Sequence, residues 1–459
     1  MMRKLFVATL AMLSFTSAFA QKDAEPKFRR SSLYTLKLDI PKDKDEYKEA
    51  LKLMDATYDT LSIPNAYNDF NMATRHIDYT KLGDVTQEEM DLYKKGGKGG
   101  GFAKFAKGAA SMAASTVGAN VNLNTTTEEE YVAKLMNWFK ADNTANKLVA
   151  KWHNKKGADP AKVDWDENLT LLGELGLVGL SEEQKEELKE AGNSLVTAAK
   201  DNEVETVGNS YVVVNRFGFL SGKELFEELS APIVAQLASA NPMVAMGLNK
   251  TLDIMKKKYA TGYFVRAYAY LFQLQYEDAE CKDFYAEGEG PWHKPANFKD
   301  GKYTLKYIGK SQGRARARKA DDGNVISVAV RRAMDKCYAD LQHDNEQFRP
   351  LAALHATDDG TGLYAYVGTK EGVTEKSVFD VFQAQMEGEK IVYKKVGSLK
   401  VQKGQVWDNR AGAGQADMEE EADEEDKDAV KGNASLKYTL FQGKPNNKIN
   451  EGSFIKLAK

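Results

Sequence analysis

The run Thr261 to Asp278, TGYFVRAYAYLFQLQYED, constrains this chain more than any other stretch. Side chains alternate between the two faces of a strand, so Phe264, Tyr268, Tyr270, Phe272 and Tyr276 share one face while Tyr263, Val265, Ala267, Ala269 and Leu271 share the other. Neither face is polar. A sheet built on this strand must be covered on both sides, and its aromatic stripe reads as core rather than as a binding platform.

The neighbouring sequence supplies further strands and the helices to cover them. SYVVVNRF (210–217) is a short apolar run suited to a strand buried on both faces, and YTLKYI (303–308) reads as another strand. Tyr34, Leu36, Leu38 and Ile40 alternate with polar residues as in a half-buried strand. Helical spacing of Tyr47, Ala50, Leu51, Met54, Tyr58 and Leu61 predicts a helix over 44–61, and Ile326, Val330, Ala333, Cys337 and Leu341 place another between about 324 and 348. Thr86–Glu89, Thr127–Glu130 and Ser181–Gln184 match the capping box that opens a helix. Pro232 and Pro242 are expected to interrupt the helices after the 210–217 strand. The fold class is α+β, with a mixed helical and antiparallel-sheet body followed by a small all-β, barrel-like C-terminal module.

The first 20 residues carry Arg3 and Lys4, an apolar stretch and the small-x-small site Ala18-Phe19-Ala20, the pattern of a secretory signal peptide cleaved after Ala20. We therefore expect an exported protein, periplasmic or associated with an outer membrane. No later stretch reaches the roughly 18 continuous apolar residues of a membrane-spanning helix. Segment 101–118, Gly/Ala-rich with Lys104 and Lys107 on one face, allows peripheral membrane contact as well as ordinary burial. Export also puts the only two cysteines, Cys281 and Cys337, where a disulfide can form, though Cys337 equally suits a buried thiol in its helix. Five scattered histidines and two distant cysteines give no metal site, and no cofactor motif is complete.

The remaining boundaries follow composition: a strand/helix region at 21–85, a mainly helical region at 86–200 containing a Gly/Ala-rich segment at 96–121, an α+β core at 201–348, and a β module at 349–459. Within the module lies an acidic loop at 411–433, whose DMEEEADEEDKD (417–428) reads as solvated and disordered. The module's short apolar runs are separated by Gly, Asn and charged clusters. Its YVGTKEGVTEKSVFDVF, VGSLKVQKGQVW and INEGSFIKLA resemble the small terminal β-barrel of bacterial envelope proteins such as the flagellar T-ring protein. That resemblance covers about 100 residues, implies a barrel without catalytic residues, and is interrupted by the acidic insertion.

Two motifs in 303–319, YTLKYIGKSQGRARARK, invite a chemical reading. Gly309-Lys310-Ser311 ends like a phosphate loop but has Thr304 where the first glycine belongs, and Gly218–Glu224 is a second near miss with Glu224 in place of the metal-binding hydroxyl. Gly309–Gly313 also fits the G-x-S-x-G nucleophile elbow, with Asp340 and His355 downstream, so an envelope serine hydrolase using Ser311 is the enzymatic alternative. What is left is charge: Lys302, Lys306, Lys310, Arg314, Arg316, Arg318 and Lys319 put seven cations and no acid into 302–319. If extended, Arg314, Arg316 and Arg318 share one face, and Lys310, Arg314, Arg316, Arg318 and Lys319 are the candidate anion-binding residues for phosphate, lipopolysaccharide-like anions or acidic glycans. Nucleic acid is disfavoured by export and by the lack of interleaved aromatics. The expectation is a non-enzymatic envelope interaction or scaffold protein whose partner is another envelope protein or an anionic surface polymer.

Overall fold

The computed structural model describes residues 31–39, 48–64, 67–94, 127–153, 203–276, 302–317, 324–349, 351–387, 390–410, 413–414 and 432–458. The signal peptide, segment 101–118, the Ser181 capping box, Cys281, Arg318, Lys319 and the acidic run 417–428 lie outside the described residues.

One mixed sheet organises the body. Its central strands are β4 (Ser210–Ser221) and β5 (Tyr263–Gln275), paired antiparallel over their full lengths, with β6 (Thr304–Ala317) antiparallel to β5 on one side. On the other side β1 (Ser31–Asp39) runs parallel to β4, and β1 in turn pairs in parallel with the short β2 (Tyr67–Asp69) and β3 (His76–Asp78). The antiparallel strands β4, β5 and β6 are thus extended by a parallel edge. Some 170 residues separate β1 from β4 in sequence, ample for the crossover that parallel strands require. β1 is also buried on both faces rather than half-buried, because the sheet joins segments that composition divides at 85 and 200.

Both faces are covered, as the 263–276 alternation demands. On one, Val212, Val214, Tyr270 and Phe272 pack under α3 (Glu128–Asp142) and α4 (Thr144–His153), which contribute Tyr131, Leu135, Phe139, Leu148 and Trp152. On the other, Tyr211, Val213, Ala267, Ala269 and Leu271 meet α1 (Lys48–Asp59) and α8 (Val325–Asp344) through Met54, Tyr58, Val330, Ala333 and Leu341. Between α1 and α3 lies the short α2 (Gln87–Asp91), opened by the expected Thr86/Glu89 capping box. A one-turn-and-a-half α5 (Glu203–Gly208) leads into β4.

β4 and β5 are joined by a helical hairpin, α6 (Gly222–Leu237) and α7 (Pro242–Tyr259). Ser221 caps α6 reciprocally with Glu224, so the residue that spoils the second phosphate-loop motif is a capping-box carboxylate. Pro242 occupies the first turn of α7 as expected, but α6 runs through Pro232. That proline is exposed, so water can serve the carbonyl one turn back.

The C-terminal module has its own core, formed by Leu354, Leu363, Val367, Phe379, Val381, Leu399, Val401, Phe441 and Ile455 among others. Two sheets surround it: β11 (Lys390–Lys400), β10 (Val378–Glu387), β13 (Phe454–Leu457) and β7 (Ala352–Ala353) in one, and β12 (Thr439–Phe441), β9 (Leu363–Ala365) and β8 (His355–Ala356) in the other. A bridge between Val401 and Phe441 links them at one corner.

Candidate functional site

The opening motif lies entirely inside β6. Gly309 to Gly313 is unbroken strand, and Ser311, opposite Ala269, donates its hydroxyl to the Cys337 carbonyl at 2.8 Å. Ser311 is buried against α8. A nucleophile elbow requires a sharp strand-to-helix turn that exposes the hydroxyl, whereas here the hydroxyl is spent on helix packing. The sequence places a turn at 309–313 because of its glycines. The structure shows why Gly313 is glycine: a Cβ there would lie 2.0 Å from the Ala333 carbonyl oxygen, so α8 can cross the sheet only where the side chain is missing. Cys337 sits in the same contact as a free, buried thiol, accepting from Gly313 N at 2.9 Å and donating to the Ala267 carbonyl at 3.2 Å. Burial pushes it up to about 12. Its sulfur is turned into the sheet.

The arginine row turns inward. A bulge opposite Leu271/Phe272 inserts Ile308, so beyond it Lys310, Gln312, Arg314 and Arg316 fall on the face occupied by Tyr268 and Tyr270. Arg216 from β4 and Arg266 from β5 join them there. Arg216, Arg266 and Arg316 are only 5, 5 and 7 % exposed. Arg216 lies between the rings of Tyr131 and Tyr268, its guanidinium carbon 4.3 and 4.2 Å from their centroids, an arrangement worth about 2 kcal/mol when desolvated. Arg266 stands directly opposite Arg314, a like-charge pairing that is unfavourable on its own. The Gln312 amide, oriented with its oxygen toward them, accepts from Arg266 Nε at 3.3 Å and from Arg314 Nε at 2.6 Å. Arg316 donates to the Thr261 carbonyl at 2.9 Å, and Lys310 pairs with Glu128 at the start of α3. Of the anion-binding candidates, Lys310, Arg314 and Arg316 do share one face, on which Arg316 is buried at the hairpin's base, Arg314 is half-buried beside Gln312, and Lys310 is exposed and paired with α3.

A second polar node was not legible from spacing. Lys37 of β1, only 3 % exposed, pairs with Asp39 and with Asp55 of α1, the latter at 2.7 Å. His76 of β3 bridges Asp39 and Asp59 at 3.0 Å through its two ring nitrogens. Hydrogen bonding to Asp39 raises the His76 pKa above its ordinary 6.5. Burial alone would raise Asp39, but the hydrogen bonds from His76 and Lys37 outweigh it and hold this carboxyl below 3.8. Asp39, Asp55 and His76 offer three ligand atoms within 4.8 Å. The Lys37 ammonium already occupies the position between the carboxylates that a metal cation would take, so the node reads as an ion-pair network.

Two surface features complete the inventory. On the C-terminal module, β9 and the two residues after it alternate Leu363, Ala365 and Val367 inward with Tyr364 and Tyr366 outward. Those two tyrosines meet His355 and Tyr438 in a half-exposed aromatic cluster: Tyr364 is 4.3 Å from Tyr438 and stacks on His355 at 5.1 Å, and Tyr366 stands edge-on to Tyr364 at 5.6 Å. Burial among these rings pushes the Tyr364 hydroxyl up to about 12. Beside them Thr357–Gly362, TDDGTG, forms a turn, with Asp359 accepting from Thr361 N at 3.1 Å and Gly360 at positive φ. The other feature is the far end of the α6–α7 hairpin, where Val234, Met243, Val244 and Met246 are 53, 82, 44 and 73 % exposed. The sequence marks this segment as helical and proline-punctuated, and 229–249 contains no charged residue.

No helix among the described residues is long and apolar enough to cross a membrane. No protein-family model matches the chain, and no curated protein matches it.

Proposed function

We propose that this is an exported, non-enzymatic protein of a bacterial cell envelope that acts by holding another envelope component. The observation that carries this reading is the aromatic cluster of His355, Tyr364, Tyr366 and Tyr438. Three tyrosines and a histidine packed ring to ring on an outer face, with their inward neighbours filling the core, supply what protein interfaces concentrate at their centres: large, rigid, amphipathic contact area. The two sheets linked at Val401 and Phe441 would be the frame of a barrel-like module presenting this cluster, in keeping with the resemblance to envelope β-barrels. Cleavage of the signal peptide after Ala20 would deliver the chain to the periplasm or the outer membrane. The hydrolase alternative loses ground to the mid-strand position of Ser311, and the anionic-polymer alternative to the inward turn of Arg316.

The test is photocrosslinking in cells with a photoreactive phenylalanine analogue in place of Tyr366. A single recurring envelope-protein adduct is expected, reduced by about tenfold or more when Tyr364 and Tyr438 are changed to serine. A chain that yields no adduct, or the same diffuse adducts with and without those tyrosines, overturns the proposal.

A further inference from the structure

The α6–α7 hairpin separates its charges by height. Lys223, Glu224, Glu227 and Glu228 lie in the first two turns of α6, next to the sheet, and Lys256 and Lys257 lie in the last turn of α7, also next to the sheet. From Leu229 to Asn249 there is no charge at all. A helix that packs on a protein core or lies in a docking groove is apolar along one stripe. The hairpin's far end carries no charge on any side, its polar side chains being the neutral Ser230, Gln236, Ser239, Asn241 and Asn249. Ala245 and Leu248 of α7 are half-buried, as are Ile233 and Leu237 of α6, while Val234, Met243, Val244 and Met246 point outward. A charge-free helix pair with Val234, Met243, Val244 and Met246 exposed suits apolar surroundings better than water, and here that surround is not the protein's own core.

Length selects the occupant. The charge-free part comprises nine residues of α6 and eight of α7, about 12–13 Å at 1.5 Å per residue. That is too short to cross a hydrocarbon core of about 30 Å but close to the depth of one leaflet. Lys250 begins the charged part of α7 and is exposed, where a lysine head can reach lipid phosphates while its stem stays with the acyl chains. Methionines at the tip add side chains that adapt to an irregular apolar medium. We propose that the hairpin tip, residues 229–249, inserts into one leaflet of a lipid bilayer and anchors the protein peripherally, leaving the sheet and the C-terminal module in water. The inference concerns a different surface from the aromatic cluster, and it stands or falls independently of any protein partner.

The test uses the full mature chain and vesicles of phosphatidylethanolamine with a minority of phosphatidylglycerol. Wild-type protein should float with the vesicles, and Met243→Glu/Met246→Glu should lower the bound fraction by about tenfold or more. Both positions are largely exposed, so an unchanged circular dichroism spectrum is expected and separates lost binding from lost folding. In Met243→Trp, the added emission should be that of an exposed indole in buffer, then shift to the blue on vesicle addition and be quenched by brominated acyl chains. Flotation unaffected by the two glutamates overturns the proposal. So does added emission in Met243→Trp that is already blue-shifted without lipid, since the tip would then be covered by the chain itself or by a second copy. Self-association in sedimentation velocity that is abolished by the glutamates overturns it too.

Discussion

Gly313 and Cys337 occupy a contact with no spare room: a Cβ at Gly313 would meet the backbone of α8, while the Ser311 hydroxyl and the Cys337 thiol bond across the same junction. Gly313→Ala should lower unfolding stability by about 3 kcal/mol or more in urea titrations, because the added carbon meets a carbonyl oxygen that cannot rotate away. A loss under about 1 kcal/mol would mean that α8 does not cross there. The His76 node makes a prediction in pH. The folded His76 pKa is raised, so its contribution is complete below 6.5 and is lost as pH climbs through the raised value. Asp39 is depressed, so its contribution is present above 3.8 and is lost as pH falls through the lowered value. The pair should be strongest between those two pH values. Being partly exposed, it is worth about 1 kcal/mol or less, and NMR titration reads it more sharply than melting does. The His76 ring protons should titrate above 6.5 in wild type and return toward that value in Asp39→Asn. These partners stand on separate elements, β1, β3 and α1, and were invisible to a reading by spacing because parallel pairing of β1 with β3 is a tertiary event.

At the level of elements, alternation was the most readable signal. The thirteen residues of β5 show both of their faces in sequence, and both are buried as required. β6 was legible only to Ile308, the residue inserted by the bulge. Past that point the phase reverses, and glycines with interspersed arginines look like a turn until α8 is known to lie across them. Proline misled in the same local way. α6 passes through Pro232, so Pro232→Ala should restore a backbone donor and slow amide exchange of residues around 228–236 by about tenfold or more, measured by hydrogen exchange with mass spectrometry. Unchanged exchange would place a break in the helix at that residue. The arginine row belongs to this scale as well. Its cations were plain in the sequence, but partners they meet come from distant segments: the Thr261 carbonyl and the Tyr259 ring for Arg316, and Glu128 of α3 for Lys310.

Across the whole molecule, the body and the C-terminal module meet at the end of α8. Arg349, buried, donates to the carbonyls of Gln342 at 3.0 Å and His343 at 2.6 Å, which end α8, and to that of Leu457 at 3.2 Å in β13. Tyr67 and Tyr211 donate to the carbonyls of Phe348 and Gln347 from the body's side. One guanidinium thus stops a helix and clamps the last strand of another domain. Arg349→Met should destabilise the protein by about 3 kcal/mol, the scale of lost charged hydrogen bonds to buried carbonyls. It should also let amides of 378–400 exchange before those of 210–221. If the two sets still exchange together, the module is held by something other than this residue. The clamp was not readable from the sequence, since nothing about a lone arginine after a helix announces a strand more than a hundred residues later.

The way the hairpin leaves the sheet has a mechanical consequence. Its two legs are continuous with β4 and β5, the central strands, and its neck is closed by Gly222 N donating to the Gly262 carbonyl at 2.7 Å. A pull on the tip along the strand axis would draw both strands the same way, sliding β4 against β1 and β5 against β6. Those ladders carry seven and thirteen residue pairs, with hydrogen bonds lying across the direction of pull, so the load is shared by many bonds at once instead of unzipping them singly. Whatever grips the tip therefore holds the molecule by its stiffest part, and tension reaching the C-terminal module arrives through a sheet that yields last.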